Sequence, residues 1–267
     1  MTGPRLNPAV LTAAAFGYAF LYLPIAVLVA YSFNASPRLA VWGGVSLHWY
    51  AALASDAQLL AAALLSLQVA AIAATVATLL GLMAALALVR FGAFRGRTLL
   101  AGLIGAPLVV PDVVLGLALL LFFVALANLI GWPTQRGLTT ITLAHATFGV
   151  AYATVVIRAR LVRFDSTIEE AARDLGAPPW RVFQRVTLPL LLPALAAAWL
   201  LAFTLSLDDL VVASFVSGPG ASTLPMVIFS KVRLGLSPEV NALASLLMLF
   251  VVLAVAASLA LLGRKRG

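Results

Sequence analysis

Long stretches of this chain contain no Asp, Glu, Lys or Arg: 6–37, 57–89, 98–111, 113–135, 137–157, 186–207 and 240–263. Only Asp112 separates the third from the fourth. A helix rising about 1.5 Å per residue needs roughly 20 apolar residues to cross about 30 Å of hydrocarbon. The pattern therefore predicts six membrane spans, at 10–33, 61–89, 98–127, 138–158, 189–216 and 241–263. With 63% hydrophobic and 10% charged residues, the chain lies far from the roughly 45–50% apolar and 25% charged composition of soluble domains. The fold class expected is all-α integral membrane. The first run follows Arg5 as the core of a secretory signal would, but it exceeds the roughly 7–15 residues of such a core and reads as a span.

The formal net charge of +8 would suit a nucleic-acid binder if the basic residues shared a hydrated face. Here they sit between the apolar runs, so they report topology and no nucleic-acid partner is expected. Basic residues stay in the cytoplasm. With the amino terminus inside, thirteen fall on the cytoplasmic side, from Arg5 to Arg264, Lys265 and Arg266. Arg38, Arg136, Lys231 and Arg233 alone fall outside. Both termini are thus expected in the cytoplasm. The outer segments 34–60, 128–137 and 217–240 hold Trp42, Trp49, Tyr50 and Trp132. They read as an interfacial aromatic belt in preference to a ligand-stacking set.

Other chemistries drop out. The absence of cysteine excludes disulfides, thiolate metal sites and iron–sulfur clusters, and two histidines leave little for a metal centre. Neither Lys231 nor Lys265 follows a glycine-rich run able to cradle nucleotide phosphates. No cofactor is expected in this chain, and it is not expected to be an enzyme. The organisation is one transmembrane domain, 1–267, in which only the cytoplasmic linker 159–189 is long enough to fold.

That linker reads DSTIEEAARDLGAPPWRVFQRVTLPLLLPAL from Asp165. Ser166 followed by Glu169 predicts a capping box, with Glu169 and Glu170 on the positive end of a helix running to Leu175. Gly176 supplies a left-handed stop. Pro178 and Pro179 permit a second helix carrying Trp180, Val182, Phe183 and Val186 before Pro189 opens span five. The expectation is a helix–turn–helix lying on the membrane surface, which taken alone suits a connector as well as a docking device.

The spacing Glu170, Ala171, Ala172, Gly176, Val186, Thr187, Leu188, Pro189 resembles the loop that defines membrane subunits of bacterial ABC importers. Valine at 186 stands where isoleucine is usual, a conservative change in volume. The resemblance extends to Tyr31–Asn34, Arg90–Phe91, Phe94–Gly96, Ala106–Asp112, Leu143–His145, Thr147–Phe148, Leu201–Asp209, Ala213–Gly220, Thr223–Met226 and Pro238–Leu243. These runs are similar to polyamine importer permeases, above all to the second permease of putrescine systems. The resemblance implies a type I ABC importer permease of the bacterial inner membrane. Its implied partners are a homologous permease, a dimer of ATPase subunits that bind ATP and Mg, an extracytoplasmic polyamine-binding protein and membrane lipid. It also implies that Glu169, Glu170, Ala171, Ala172, Gly176, Trp180, Phe183, Leu188 and Pro189 couple this chain to the ATPase.

Asp112, Asp208 and Asp209 fall in or beside spans, where a charge costs about 2.5–3.5 kcal/mol on insertion scales. Counted along one span from Thr98, Asp112 is expected near mid-depth, just after Pro107 and Pro111, where the helix is expected to kink and its backbone to be partly open. The functional reading makes these carboxylates a path attractive to a small di-cation; the structural reading makes Asp112 or one of the pair a helix cap. Of the adjacent Asp208 and Asp209, which point about 100° apart on a helix, one is expected to line the path and the other to bind helix or backbone. His145 could relay protons or bind substrate, or simply bond within the bundle. Gln68, Thr75 and Thr78 are expected to make interhelical contacts. The competing classes are a spermidine or other small-cation importer of the same architecture, an ion-coupled carrier, and a non-transporting scaffold.

Overall fold

The computed structural model describes residues 8–38, 41–234 and 238–263, so Arg5, Arg264, Lys265 and Arg266 lie outside it. The described elements are α1 (Pro8–Tyr31), α2 (His48–Ser55), α3 (Ala57–Arg90), α4 (Arg97–Gly105), α5 (Asp112–Ile130), α6 (Leu138–Val162), α7 (Thr167–Asp174), α8 (Pro179–Val182), α9 (Leu188–Asp208), α10 (Val211–Val216), α11 (Leu224–Leu234) and α12 (Pro238–Gly263). Among the described residues, five helices are long and apolar enough to cross a membrane: α1, α3, α5, α6 and the run Pro179–Asp208. The expected sixth span falls on α12.

Two expected spans are corrected. The third is not continuous over 98–127: α4 passes into a 3₁₀ turn, Ala106–Leu108, and the chain is extended at Pro111 (φ −58°, ψ 140°) before α5 begins at Asp112. Pro111 has no N–H to give the carbonyl four residues back, and its ring crowds that position, so the helix breaks. Counting depth along one rod from Thr98 therefore misplaces Asp112, which opens a new helix. The fifth span likewise ends at Asp208; Asp209 is extended (ψ 124°) and α10 is a separate short helix.

The described residues form two compact units, 1–60 with 228–267, and 61–227. In the first, α12 packs against α1 and α2. Buried Asn34 organises the segment after α1: its side chain accepts from the Ser36 and Gly43 amides at 3.1 and 2.8 Å and donates to the Val41 carbonyl, while Trp49 Nε1 donates to the Asn34 carbonyl at 2.7 Å. Tyr50 meets Ser32 at 2.6 Å. Trp49 and Tyr50 thus hold a folded loop through their polar ends, beyond any interfacial role. Lys231 Nζ lies 2.6 Å from Asp56 and 2.8 Å from Glu239. The hydrogen bond from Lys231 holds the Asp56 carboxyl below its ordinary pKa. Partial burial acts to lower the Lys231 pKa, but its hydrogen bonds to Asp56 and Glu239 outweigh that and raise it.

The second unit is built on small residues. Ala74 and Ala77 of α3 and Ala202 of α9 form one buried cluster; Ala85, Ala153, Ile157 and Ala198 form another across α3, α6 and α9. A Cβ on Gly149 would come within 2.9 Å of the Ala77 methyl, and one on Gly81 within 2.8 Å of Ala153. Such close approach supplies dispersion contact where lipid gives no hydrophobic drive between helices. Of the polar residues expected between helices, Thr75 accepts from Trp199 Nε1 at 3.0 Å, Thr78 bonds back to the Ala74 carbonyl, and Gln68 is exposed.

Candidate functional site

The two helix breaks bring acidic residues into one place. Asp112 is the first residue of α5, so its carboxylate sits at the positive end of that helix. It does not cap: Pro111 holds the N-cap position, without a side-chain bond. Asp208 ends α9, and Asp209 lies in the break after it. Asp209 bonds through its two oxygens to the amides of Val212 (3.3 Å) and Ala213 (2.7 Å), capping α10.

Behind Asp209 lies His145, its side chain fully buried. Nδ1 is 2.6 Å from Ser206 Oγ; Nε2 is 3.2 Å from Asp209 Oδ2 but lacks hydrogen-bond alignment. The described contacts of His145 are therefore within the bundle. Asp208, by contrast, is exposed, and its carboxylate bonds to its own backbone amide.

A cleft of about 340 Å³ is lined by Asp112, Asp208 and Asp209 together with Phe148, Tyr152 and Leu205. The three aspartates named from sequence thus share one cavity, with Asp209 held by backbone and histidine while Asp112 and Asp208 remain available. The aromatic lining was not singled out beforehand. Its signal is the spacing 145, 148, 152, which places His145, Phe148 and Tyr152 along one face of α6. Carboxylates combined with aromatic faces suit organic ammonium groups.

The 159–189 loop forms a second locus, and here the sequence expectation needs three corrections. Ser166 makes no side-chain cap. Instead Asp165 accepts from the Thr167 hydroxyl (2.8 Å) and amide (3.0 Å), and these bonds lower its pKa. The Glu169 amide that the Ser166 hydroxyl would cap bonds to the Ser166 carbonyl instead, at 3.0 Å. Glu169 is not presented outward on the helix end: it is 5% exposed and faces inward. The second surface helix is not separate either. From Pro179 the chain runs through α8 and a π-helical segment, Phe183–Thr187, directly into α9. Pro189 follows the π-helical segment directly and so stands inside this continuous helical run.

Gly176, at φ +81°, ends α7 in the left-handed region, with Ala177 N returning to the Ala172 carbonyl at 3.1 Å. Glu170, Ala171, Leu175 and Trp180 face outward, and Leu175 is 89% exposed. Ala172, Phe183 and Leu188 are half-buried. The outward face of α7 and the adjoining turn thus exposes Ile168, Ala171, Leu175 and Trp180 beside the charges of Glu170, Arg173 and Asp174.

A helical membrane bundle with a polar cleft among its spans and an exposed loop projecting from them defines a membrane component of a transport system. The chain belongs to the family described as binding-protein-dependent transport system inner membrane component, which matches residues 77–266. It is 59% identical over 232 residues to the putrescine transport system permease protein PotI of Escherichia coli K12, covering 87% of this chain and 83% of the relative. It is 41% identical over 258 residues to the spermidine/putrescine transport system permease protein PotC of the same strain, covering 97% and 94%. Among solved structures, a bacterial ABC transporter involved in import of the acidic polysaccharide alginate has the same fold, with TM-score 0.69 at 16% identity over 97% of this chain and 98% of that one. The chain is an inner-membrane permease subunit.

Proposed function

We propose that this chain is one of two permease subunits of an ATP-driven importer that moves putrescine into the cytoplasm. An extracytoplasmic receptor delivers the polyamine, and two copies of an ATPase subunit, which bind ATP and Mg, drive alternating access. The observation that carries the reading is the single cleft in which Asp112 and Asp208 stand exposed beside Phe148 and Tyr152. Two available carboxylates match the two ammonium ends of a diamine, and Asp209, engaged by α10 amides and His145, sets the wall of the site. The PotI relative supports putrescine; the PotC relative keeps spermidine as the second reading. The exposed loop face around Glu170, Ala171, Leu175 and Trp180 is where the ATPase docks in this scheme, with Gly176 fixing the turn.

The test is ATP hydrolysis by the full assembly in lipid nanodiscs, with receptor empty, putrescine-loaded or spermidine-loaded. Stimulation by the putrescine-loaded receptor is expected. Stimulation by spermidine alone would replace the substrate but keep the mechanism. Failure to recruit any ATPase would leave an ion-coupled carrier as the better account.

A further inference from the structure

Glu169 lies in the first turn of α7, on the element that meets the ATPase in the scheme above, yet it is buried. Its Oε1 accepts from Arg90 Nη2 at 3.1 Å and from Thr187 Oγ1 at 2.5 Å. Arg173 approaches the other oxygen at 3.9 Å. Arg90 ends α3 and also stacks over Phe164, 5.4 Å from the ring centre. Thr187 ends the π-helical segment that leads into α9. One carboxylate therefore joins three elements. A buried carboxylate is retained only where it is well paired, and π segments within helices are frequent at functional positions.

The chain already ties α7 to its sequence neighbours. Residues 163–166 lead to it from α6, and 175–178 lead from it to α8. Both links are turn-like, and the second contains left-handed Gly176. Each can absorb rotation of a short helix. The Arg90 bond spans 79 residues of sequence and is of a different kind: it pins α7 to a helix with which it has no local covalent link. Through the small-residue clusters, α3 is packed with α6 and α9 into one block.

We infer that Arg90, Glu169 and Thr187 form a strut that fixes the angle of α7 against the α3–α6–α9 block, so that displacement of α7 moves that block as a body. Glu169 is thus a positioning residue for coupling and does not itself touch the ATPase. The inference rests on the proposed docking of an ATPase at the outward face of α7. Without the strut, a push on α7 is spent in the flanking turns. A coupling free energy requires the two states of the motor to be transmitted as different states of the bundle.

The experiment reconstitutes the complete importer and measures substrate moved per ATP hydrolysed, with co-purification of the ATPase as a parallel readout. Glu169→Gln and Arg90→Gln are expected to keep the ATPase bound while lowering transport per ATP about tenfold, within the usual range of coupling effects. Thr187→Val, nearly isosteric and mild to folding, is expected to give a smaller loss in the same ratio. Exchange of the pair, Arg90→Glu with Glu169→Arg, is expected to recover much of the ratio, which a loss of stability alone would not allow. Full transport per ATP in Glu169→Gln, Arg90→Gln and Thr187→Val would overturn the strut. Leu175→Asp with Trp180→Ala forms the control arm and is expected to release the ATPase. Retention of a functional ATPase there would overturn the docking reading instead.

Discussion

Asp112, Asp208 and Asp209 are one residue type in one cleft, but their electrostatic circumstances differ. Asp209 is committed: two α10 amides take its oxygens, and His145 Nε2 lies 3.2 Å from one of them. Asp112 has the positive end of α5 beside it, and Asp208 is exposed with a bond to its own backbone amide. A hydrogen bond to a charged group contributes about 1.5–3 kcal/mol, and every 1.4 kcal/mol or so is a factor of ten in affinity. Asp112→Asn and Asp208→Asn are therefore each expected to lower putrescine uptake tenfold or more without loss of membrane-inserted protein. Asp209→Asn keeps one acceptor for the α10 amides and should mainly cost stability, about 1 kcal/mol as for other lost caps. Radiolabelled uptake normalised to inserted protein, with thermal unfolding in detergent, separates the two effects. Wild-type uptake in both Asp112→Asn and Asp208→Asn would remove the cleft from the transport path.

At the scale of the elements, the packing of α3 against α6 turns on residues that have almost no side chain. Gly149 and Ala77 leave no room between them for another methyl, and overpacking typically costs about 1–3 kcal/mol. Gly149→Ala should lower the unfolding temperature, and Ala77→Gly in the same protein should restore part of it, because the two sites share one contact. Additive losses in the double variant would mean the helices are not held at this point. The runs of uncharged residues made these helices legible from sequence, since a span is chiefly a matter of length and apolarity. The breaks were less legible. Pro107 and Pro111 signalled a disturbance in span three, but a count of apolar residues carried the rod straight through it. Nothing in the apolar pattern marks where α9 ends at Asp208, because Val211–Val216 is as apolar as the helix before it. The inward turn of Glu169 depends on Arg90 and Thr187, partners 79 and 18 residues away. A local capping pattern places Glu169 in the first turn of α7, where it lies, but has no access to such partners and so misses its burial. The aspartates were visible because charge in a span is costly, whereas Phe148 and Tyr152 were masked by a background in which aromatic residues are ordinary.

For the whole molecule, the distribution of basic charge sets which side each segment faces, and the coupling scheme stands or falls with it. ATP is available on the cytoplasmic side alone, so the exposed face of α7 serves an ATPase only if the 159–189 loop lies there. Thirteen basic residues on that side against four on the other favour this orientation. The chain contains no cysteine, which makes single introduced thiols clean reporters. Thr134 and Ser222 are exposed in segments assigned outside, and Arg95 and Asp174 are exposed in segments assigned inside. In cells with a permeabilised outer membrane, a membrane-impermeant maleimide should label Thr134→Cys and Ser222→Cys and leave Arg95→Cys and Asp174→Cys unlabelled until the inner membrane is opened. The strut at Glu169 and the docking face beside it both require that result. Labelling of Asp174→Cys before the inner membrane is opened would place the loop where no nucleotide reaches it. The cleft carboxylates would then have to work in a carrier driven from elsewhere.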